Sequence, residues 1–215
     1  PSMALGSFEM IPLEIARAYC VFAADGALPF PLSIKKVVDE SGTLLEQRHM
    51  NIIQAASPEK AFLVTDMLRS VVDGGTAKTL RDKGIYFPVA AKTGTTNDFK
   101  DAWFVGYTPD ILALVWVGFD NGDPIDLSGG IAALPIWADL ISAIPQHVSE
   151  KWFKAPAGIV QKTICEESGM LAKPGCPHSV KEYFLADNAP KGTCRLHGED
   201  NAFETLFKRI MEFGK

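Results

Sequence analysis

The chain has 215 residues, 47% hydrophobic and 22% charged, which suits one large folded domain with room for an appendage and excludes a disordered protein. Its net charge of −5 gives no electrostatic reason to expect a nucleic-acid partner. No apolar run reaches the ~20 residues that span a bilayer, and no basic segment followed by an apolar core marks a signal peptide.

The chain opens on PSMALGSFEM without an initiator methionine, which points to a fragment or a processed product. Residues 12–25 predict a helix: Pro12 suits its first turn, Leu13, Ala16, Cys20 and Ala23 share a face, and Gly26 ends it. PFPLSIKKVVDESGTLLEQ follows as a hairpin around an acidic-Ser-Gly turn. Ser57 then caps a second helix, with Pro58 in first position and an apolar face of Leu63, Met67, Leu68, Val71 and Val72 before Gly74-Gly75.

Three strands come next, over 87–93, 102–107 and 111–119, the last two joined by a TPD link short enough for an antiparallel turn. Their apolar content implies a sheet covered on both faces. Gly129-Gly130 introduces IAALPIWADLISAI, a third helix with apolar faces broad enough for a buried position. Together these predict an α/β (α+β) unit in which helices cover an antiparallel sheet.

After Pro145 the character changes. WFKAPAGIVQKTICEESGMLAKPGC reads as a strand, an acidic-Ser-Gly turn and a short return strand. Proline, glycine and cysteine then dominate until an amphipathic helix over 202–213, which makes this stretch a weakly cored appendage. Cys20 fits a buried small hydrophobe in the first helix. Cys165, Cys176 and Cys194 fall in the last quarter, with His197 just beyond. A Cys176–Cys194 disulfide in an oxidising compartment competes with a zinc site built from the three cysteines and His197. The zinc reading lacks the usual paired short spacings, so the disulfide is favoured and no metal site is assigned.

The segment AAKTGTTND carries the densest chemistry. Lys92 at the end of an apolar strand is costly to bury alone, and tolerable if it faces a cleft and an anion. Thr93 and Thr95 alternate with Gly94, so both hydroxyls point to one side, while Gly94 lets a ligand or another backbone approach. Such a strand edge can hold a carboxylate and offer a backbone N–H to an oxyanion. A satisfied surface lysine beside a threonine-rich strand end is the bland reading of the triplet alone. A phosphate loop is disfavoured by the missing Gly-x-x-x-x-Gly-Lys spacing.

The run AAKTGTTNDFKDAWFVGYTPDILALVWVGFDN resembles the later part of the transpeptidase domain of penicillin-binding proteins, whose signatures include Lys-Thr-Gly. PSMALGSFEMIPLEIARAYCVFAADG, SPEKAFLVTDMLRSVVDGGTA, GGIAALPIWADLI and ICEESGMLAKPGC resemble, in order, further segments of the bifunctional high-molecular-weight class and its C-terminal extension. The resemblance implies that residues 1–145 are the C-terminal half of the transpeptidase domain and 146–215 the extension. It implies serine acyl transfer from D-Ala-D-Ala stem peptides, which cross-links peptidoglycan and is blocked by β-lactams, with no cofactor. Lys92, Thr93, Gly94, Thr95 and Thr96 would bind substrate, the Thr95 N–H supplying half of an oxyanion hole, whereas Trp103 would pack on the sheet. The place of action would be the extracytoplasmic face of a bacterial inner membrane, the anchor lying outside this chain.

The family also needs Ser-x-x-Lys, which carries the nucleophile, and Ser-x-Asn. Ser-x-Asn is absent, and Ser-x-x-Lys occurs as SIKK from Ser33 and SPEK from Ser57. Ser33 sits in a strand-like run where Lys36 points to the opposite face, and Ser57 is explained as a helix cap. The expectation is that the nucleophile lies outside the chain, that the chain alone is inactive, and that it pairs with the N-terminal half of the domain or with itself. A D,D-carboxypeptidase or β-lactamase of the same fold, or a non-catalytic envelope scaffold, are the rivals.

Overall fold

The computed structural model describes residues 9–197 and divides into two units, 1–155 and 156–215. The expected helix over 202–213 lies outside the described residues.

In the first unit, α1 (Pro12–Ala23) begins at Pro12, with the Glu14 carboxylate accepting from the Ile11 N–H at 3.4 Å. It ends where Asp25 and Gly26 turn to positive φ, and the Gly26 N–H closes onto the Val21 carbonyl at 2.7 Å. Leu13 is 58% exposed and Cys20 only half-buried, so the first turn of the expected apolar face stands in solvent. Next come β1 (Ala27–Pro29), β2 (Lys36–Val38), β3 (Leu44–Gln47) and β4 (Ile52–Gln54). The predicted hairpin is the β2–β3 pair, closed by Asp39, whose carboxylate accepts the Ser41 and Thr43 N–H groups at 2.9 Å each. The β1–β4 pair, which brackets it, has no periodicity long enough to read from three residues a strand.

Helix α2 (Pro58–Asp73) is capped by Ser57, whose hydroxyl accepts from the Lys60 N–H. It buries Ala61, Phe62, Thr65, Leu68 and Val72, while Met67 is 67% exposed and leaves the expected face. After the short α3 (Thr79–Asp82), three antiparallel strands follow in the order β5 (Ala90–Thr95), β6 (Asp101–Tyr107) and β7 (Leu112–Gly118). β5 starts three residues later than expected because Pro88 offers no N–H to a ladder, and it runs on to take in Thr95.

The sheet is covered on both faces. On one, α4 (Gly129–Ala143) lays Leu134, Trp137, Ala138 and Ile141 over Ala91, Ala102 and Phe104, with Val72, Leu80, Ile85 and Val89 completing the core. Trp137 is fully buried and donates its indole N–H toward Ala113 O at 3.1 Å and Gly106 O at 3.3 Å. On the other face α1 and α2 cover Ala90 and Tyr107, with Tyr19, Phe22 and Leu68. The Tyr107 hydroxyl bonds Thr65 Oγ1 at 2.9 Å, and burial pushes its phenol well above the ordinary value.

The first unit runs on to Ala155, and the segment after α4 packs on it: the Ser149 N–H donates to Asp110 Oδ2 at 2.8 Å, and Phe153 meets the Tyr107 ring edge-on at 5.7 Å.

The second unit is a hairpin of β8 (Ile159–Cys165) and β9 (Ser179–Leu185). The return toward β8 is a single bridge, Ile164 to Leu171, and β9 is the true partner strand. β9 reads SVKEYFL, whose mixed polarity hid it. No described helix is long and apolar enough to cross a membrane.

Candidate active site

Among the described residues β5 is an edge strand, and its unpaired edge carries the Lys-Thr-Gly-Thr groups. The Thr96 N–H donates to Asp101 O across the ladder at 3.1 Å, and backbone groups alternate along a strand. The N–H and C=O of Thr93 and Thr95 therefore face away from β6, onto the unpaired edge. Ala90 packs under α2 and Ala91 under α4, so by the same alternation Thr93 and Thr95 lie on the α4 face.

Two contacts fix these hydroxyls. Thr93 Oγ1 pairs with Thr76 Oγ1 at 2.8 Å, and Thr95 Oγ1 accepts the Gly129 N–H at 3.1 Å. The Gly129 N–H is one of the unpaired donors at the start of α4, so the bond satisfies the helix as well as the threonine. Because Thr95 Oγ1 accepts there, its own proton stays available to donate outward. Gly129 makes this possible: a Cβ there would lie 2.4 Å from both Gly94 O and Trp103 O. Gly94 is equally constrained, since its added Cβ would sit 3.0 Å from Trp103 Cβ.

Lys92 is exposed, and its ammonium donates to the Thr93 carbonyl at 2.7 Å, on the open edge. Among the described residues no carboxylate lies within ion-pair distance of it. Thr96 points elsewhere: its hydroxyl donates to Asp101 Oδ2 at 3.0 Å and accepts the Asp101 N–H at 2.8 Å. Asp101 Oδ1 accepts the Trp116 indole N–H at 2.9 Å, tying the ends of all three strands together. Thr96 thus braces the strand end, whereas Lys92, Thr93 and Thr95 face the open edge. Trp103 packs on the sheet against Trp116, with ring centroids 6.0 Å apart. Thr76 and Gly129, the two supports of the hydroxyls, were not singled out from the sequence; the Gly129-Gly130 pair before an apolar helix was the available signal.

Ser57 is occupied as the α2 cap, and Ser33 lies in an irregular, exposed stretch before β2.

Elsewhere, Cys165, Cys176 and Cys194 are free thiols, as is Cys20, and no bond joins Cys176 to Cys194. The first three converge with His197 in the second unit.

Comparison with known proteins bears on both units. The family model described as penicillin binding protein transpeptidase domain matches residues 2–142, and the one described as penicillin-binding protein 1A, C-terminal domain, matches residues 155–199. Penicillin-binding protein 1A of Aquifex aeolicus is 38% identical over 195 residues, 90% of this chain and 26% of that protein. That of Neisseria gonorrhoeae is 39% identical over 213 residues, 94% of this chain and 26% of that protein. The crystal structure of penicillin-binding protein 1A from Haemophilus influenzae superposes with a TM-score of 0.81 at 28% identity, covering 90% of this chain and 34% of that one. The chain spans about a quarter of the length of the curated relatives it matches. It belongs to the penicillin-binding protein transpeptidase family.

Proposed function

We propose that the open edge of β5 is one wall of a serine D,D-transpeptidase site that cross-links peptidoglycan and is acylated by β-lactams. The observation that carries this is the fixed Lys-Thr-Gly-Thr edge, with Thr95 locked by Gly129, inside a segment that matches the transpeptidase family model over residues 2–142. The Thr93 and Thr95 hydroxyls donate to the terminal carboxylate of a D-Ala-D-Ala stem peptide, and the Lys92 ammonium supplies the opposite charge. The outward Thr95 N–H serves as half of an oxyanion hole for the tetrahedral intermediate. Gly94 keeps the strand low enough for the peptide backbone to lie along it.

The attacking serine is not among these 215 residues. Ser57 caps a helix, Ser33 lies in an exposed irregular stretch, and no Ser-x-Asn follows either. The chain alone is therefore inactive and acts with the preceding half of its domain, on the extracytoplasmic face of the inner membrane. Its surface supports such a partner. Ile131, Ile136 and Leu140 on α4, and Leu44, Leu45, Ile52 and Ile53 in the small sheets, are all more than 40% exposed.

The test is incubation with a fluorescent penicillin followed by a denaturing gel. No labelled band is expected from the chain alone, and a band from the upstream half on mixing the two. A labelled band from the chain alone would overturn the proposal, as would failure of the mixture to label once the two halves are shown to associate. Release of D-Ala without cross-linking by the mixture would favour the carboxypeptidase reading instead.

A further inference from the structure

Among its described residues the second unit has little apolar core: the buried side chains there are Ile164, Cys165 and Cys194, and two of those three are cysteines. A domain this small needs a disulfide, a metal or a partner surface to stay folded. In the structure Cys176 and Cys194 stand unjoined, and they belong to a cluster of four ligand atoms.

The sulfurs of Cys165, Cys176 and Cys194 and a ring nitrogen of His197 all lie within 4.8 Å of one another. His197 Nδ1 is 3.3 Å from Cys165 Sγ and 3.4 Å from Cys194 Sγ. Four ligands around a tetrahedral zinc, with bonds of about 2.0–2.3 Å, stand about 3.6–3.8 Å apart. The two nitrogen–sulfur distances fall just under that spacing, and no pair of the four exceeds it by more than about 1 Å.

The imidazole orientation is an independent pointer. His197 Nε2 lies 3.2 Å from Glu167 Oε2, so the outer nitrogen meets a carboxylate while Nδ1 faces two sulfurs. One ring proton cannot serve two thiols at once. With the proton on Nε2, donated to Glu167, the Nδ1 lone pair points into the sulfur cluster. A carboxylate behind a ligating histidine, fixing its tautomer, is the usual second layer of a zinc site.

The backbone holds the ligands in place. The Cys194 N–H donates to Leu171 O at 2.8 Å, and the Cys165 N–H to Met170 O at 2.9 Å. Leu171 bridges Ile164 on one side and Thr193 on the other, so a single residue ties the Cys165 strand to the Cys194 loop. Cys176 Sγ accepts from the Lys173 N–H at 3.5 Å, as a thiolate ligand in a turn does.

We infer that Cys165, Cys176, Cys194 and His197 form a structural zinc site, closed by four protein ligands, which takes the place of a hydrophobic core in the second unit. This site is independent of the acyl-transfer wall, and its test does not need an active enzyme.

The full 215-residue chain, purified without chelator from cells grown with added zinc, is assayed by elemental analysis and by zinc release on denaturation. About one zinc per chain is expected, unchanged in Cys20→Ser and lost in Cys194→Ser. Glu167→Gln keeps the stoichiometry at saturating zinc but weakens zinc in competition with a chelator by about 10- to 100-fold, a readout that does not depend on a cysteine variant folding. Wild-type chain with less than about a tenth of a zinc, or a Cys176–Cys194 disulfide found by peptide mass mapping, overturns the inference. So does zinc that survives Cys194→Ser, which would mark it as bound elsewhere.

Discussion

The join between α4 and β5 gives the most direct quantitative test of the wall. In Gly129→Ala, the new methyl carbon starts 2.4 Å from two backbone carbonyls, Gly94 O and Trp103 O, where ordinary contact begins at 3.4 Å. Neither oxygen belongs to a flexible side chain, and both sit in the β5–β6 ladder. Helix and strand must therefore part by about 1 Å, which stretches the 3.1 Å Thr95–Gly129 bond past hydrogen-bonding range. Overpacking of this kind costs ~1–3 kcal/mol and the lost bond ~1 kcal/mol more. The lower chain entropy of alanine in the unfolded state returns ~0.4–1 kcal/mol. A net loss of about 2–3 kcal/mol follows, or a Tm about 5–10 °C lower for a chain of this size.

The matched control is the next residue. An added Cβ at Gly130 meets nothing closer than Thr76 O at 3.6 Å, so Gly130→Ala should match the wild type within ~0.5 kcal/mol or exceed it. Urea unfolding of the three proteins at low concentration, followed by circular dichroism, gives the comparison. Mixed with the upstream half, Gly129→Ala should also acylate more slowly with fluorescent penicillin, because Thr95 has lost its anchor. Equal stability of the two alanine variants would refute the idea that the helix start is seated on the strand by the missing side chain.

Trp137→Phe removes the indole donor from Gly106 O and Ala113 O and trims the largest buried side chain, for an expected loss of ~1–3 kcal/mol by the same urea assay. A change below ~0.5 kcal/mol would mean that neither bond matters. Lys92→Ala touches no packed group, so stability should stay within ~0.5 kcal/mol. Acylation of the mixed halves should nevertheless slow at least about tenfold, and an unchanged rate would remove Lys92 from the site. The two bonds from Ser149 hold the Asp110 carboxyl below its ordinary value of 3.8. A depressed carboxylate stabilises the fold above that value and loses its effect as pH falls through the lower folded value. The 145–153 segment, followed by Trp152 fluorescence, should thus loosen on acidification below about pH 4, and Asp110→Ala should loosen it already at neutral pH. A fluorescence trace identical in the two proteins would count against that clasp.

What could be read from the sequence was local. The caps at Pro12 and Ser57, the β5–β6–β7 run, and the helix after Gly129-Gly130 each carry their own period or punctuation. The Lys-Thr-Gly-Thr chemistry was legible for the same reason, since strand alternation alone puts Thr93 and Thr95 on one side. What supports those hydroxyls was not legible. Thr76 comes from the end of α2 and Gly129 from the start of α4, and only the closed fold brings them to β5. Thr96 shows the limit from the other side: as part of the motif it was expected to bind substrate, yet its hydroxyl is engaged with Asp101.

The cysteine cluster is visible in the sequence as the rival to a disulfide, and it is passed over there for a different physical reason. Cys194 and His197 stand three residues apart, one half of the paired spacing that marks a zinc motif. The other half is missing from the sequence because Cys165 and Cys176 are eleven apart, and the distance is closed by structure instead. Cys165 ends β8, the chain turns back through Gly169, and Leu171 bridges to Thr193. Two sequence-distant sulfurs and one local pair thus meet because one short backbone bridge holds both. A motif search weighs intervals along the chain, whereas a tetrahedral site requires only that four donors converge within a few ångströms. Here the hairpin supplies the convergence, and among the described residues of the unit it buries Ile164 as its one large hydrocarbon beside the cysteines. For these residues, sparse buried hydrocarbon and gathered ligands are two consequences of one topology.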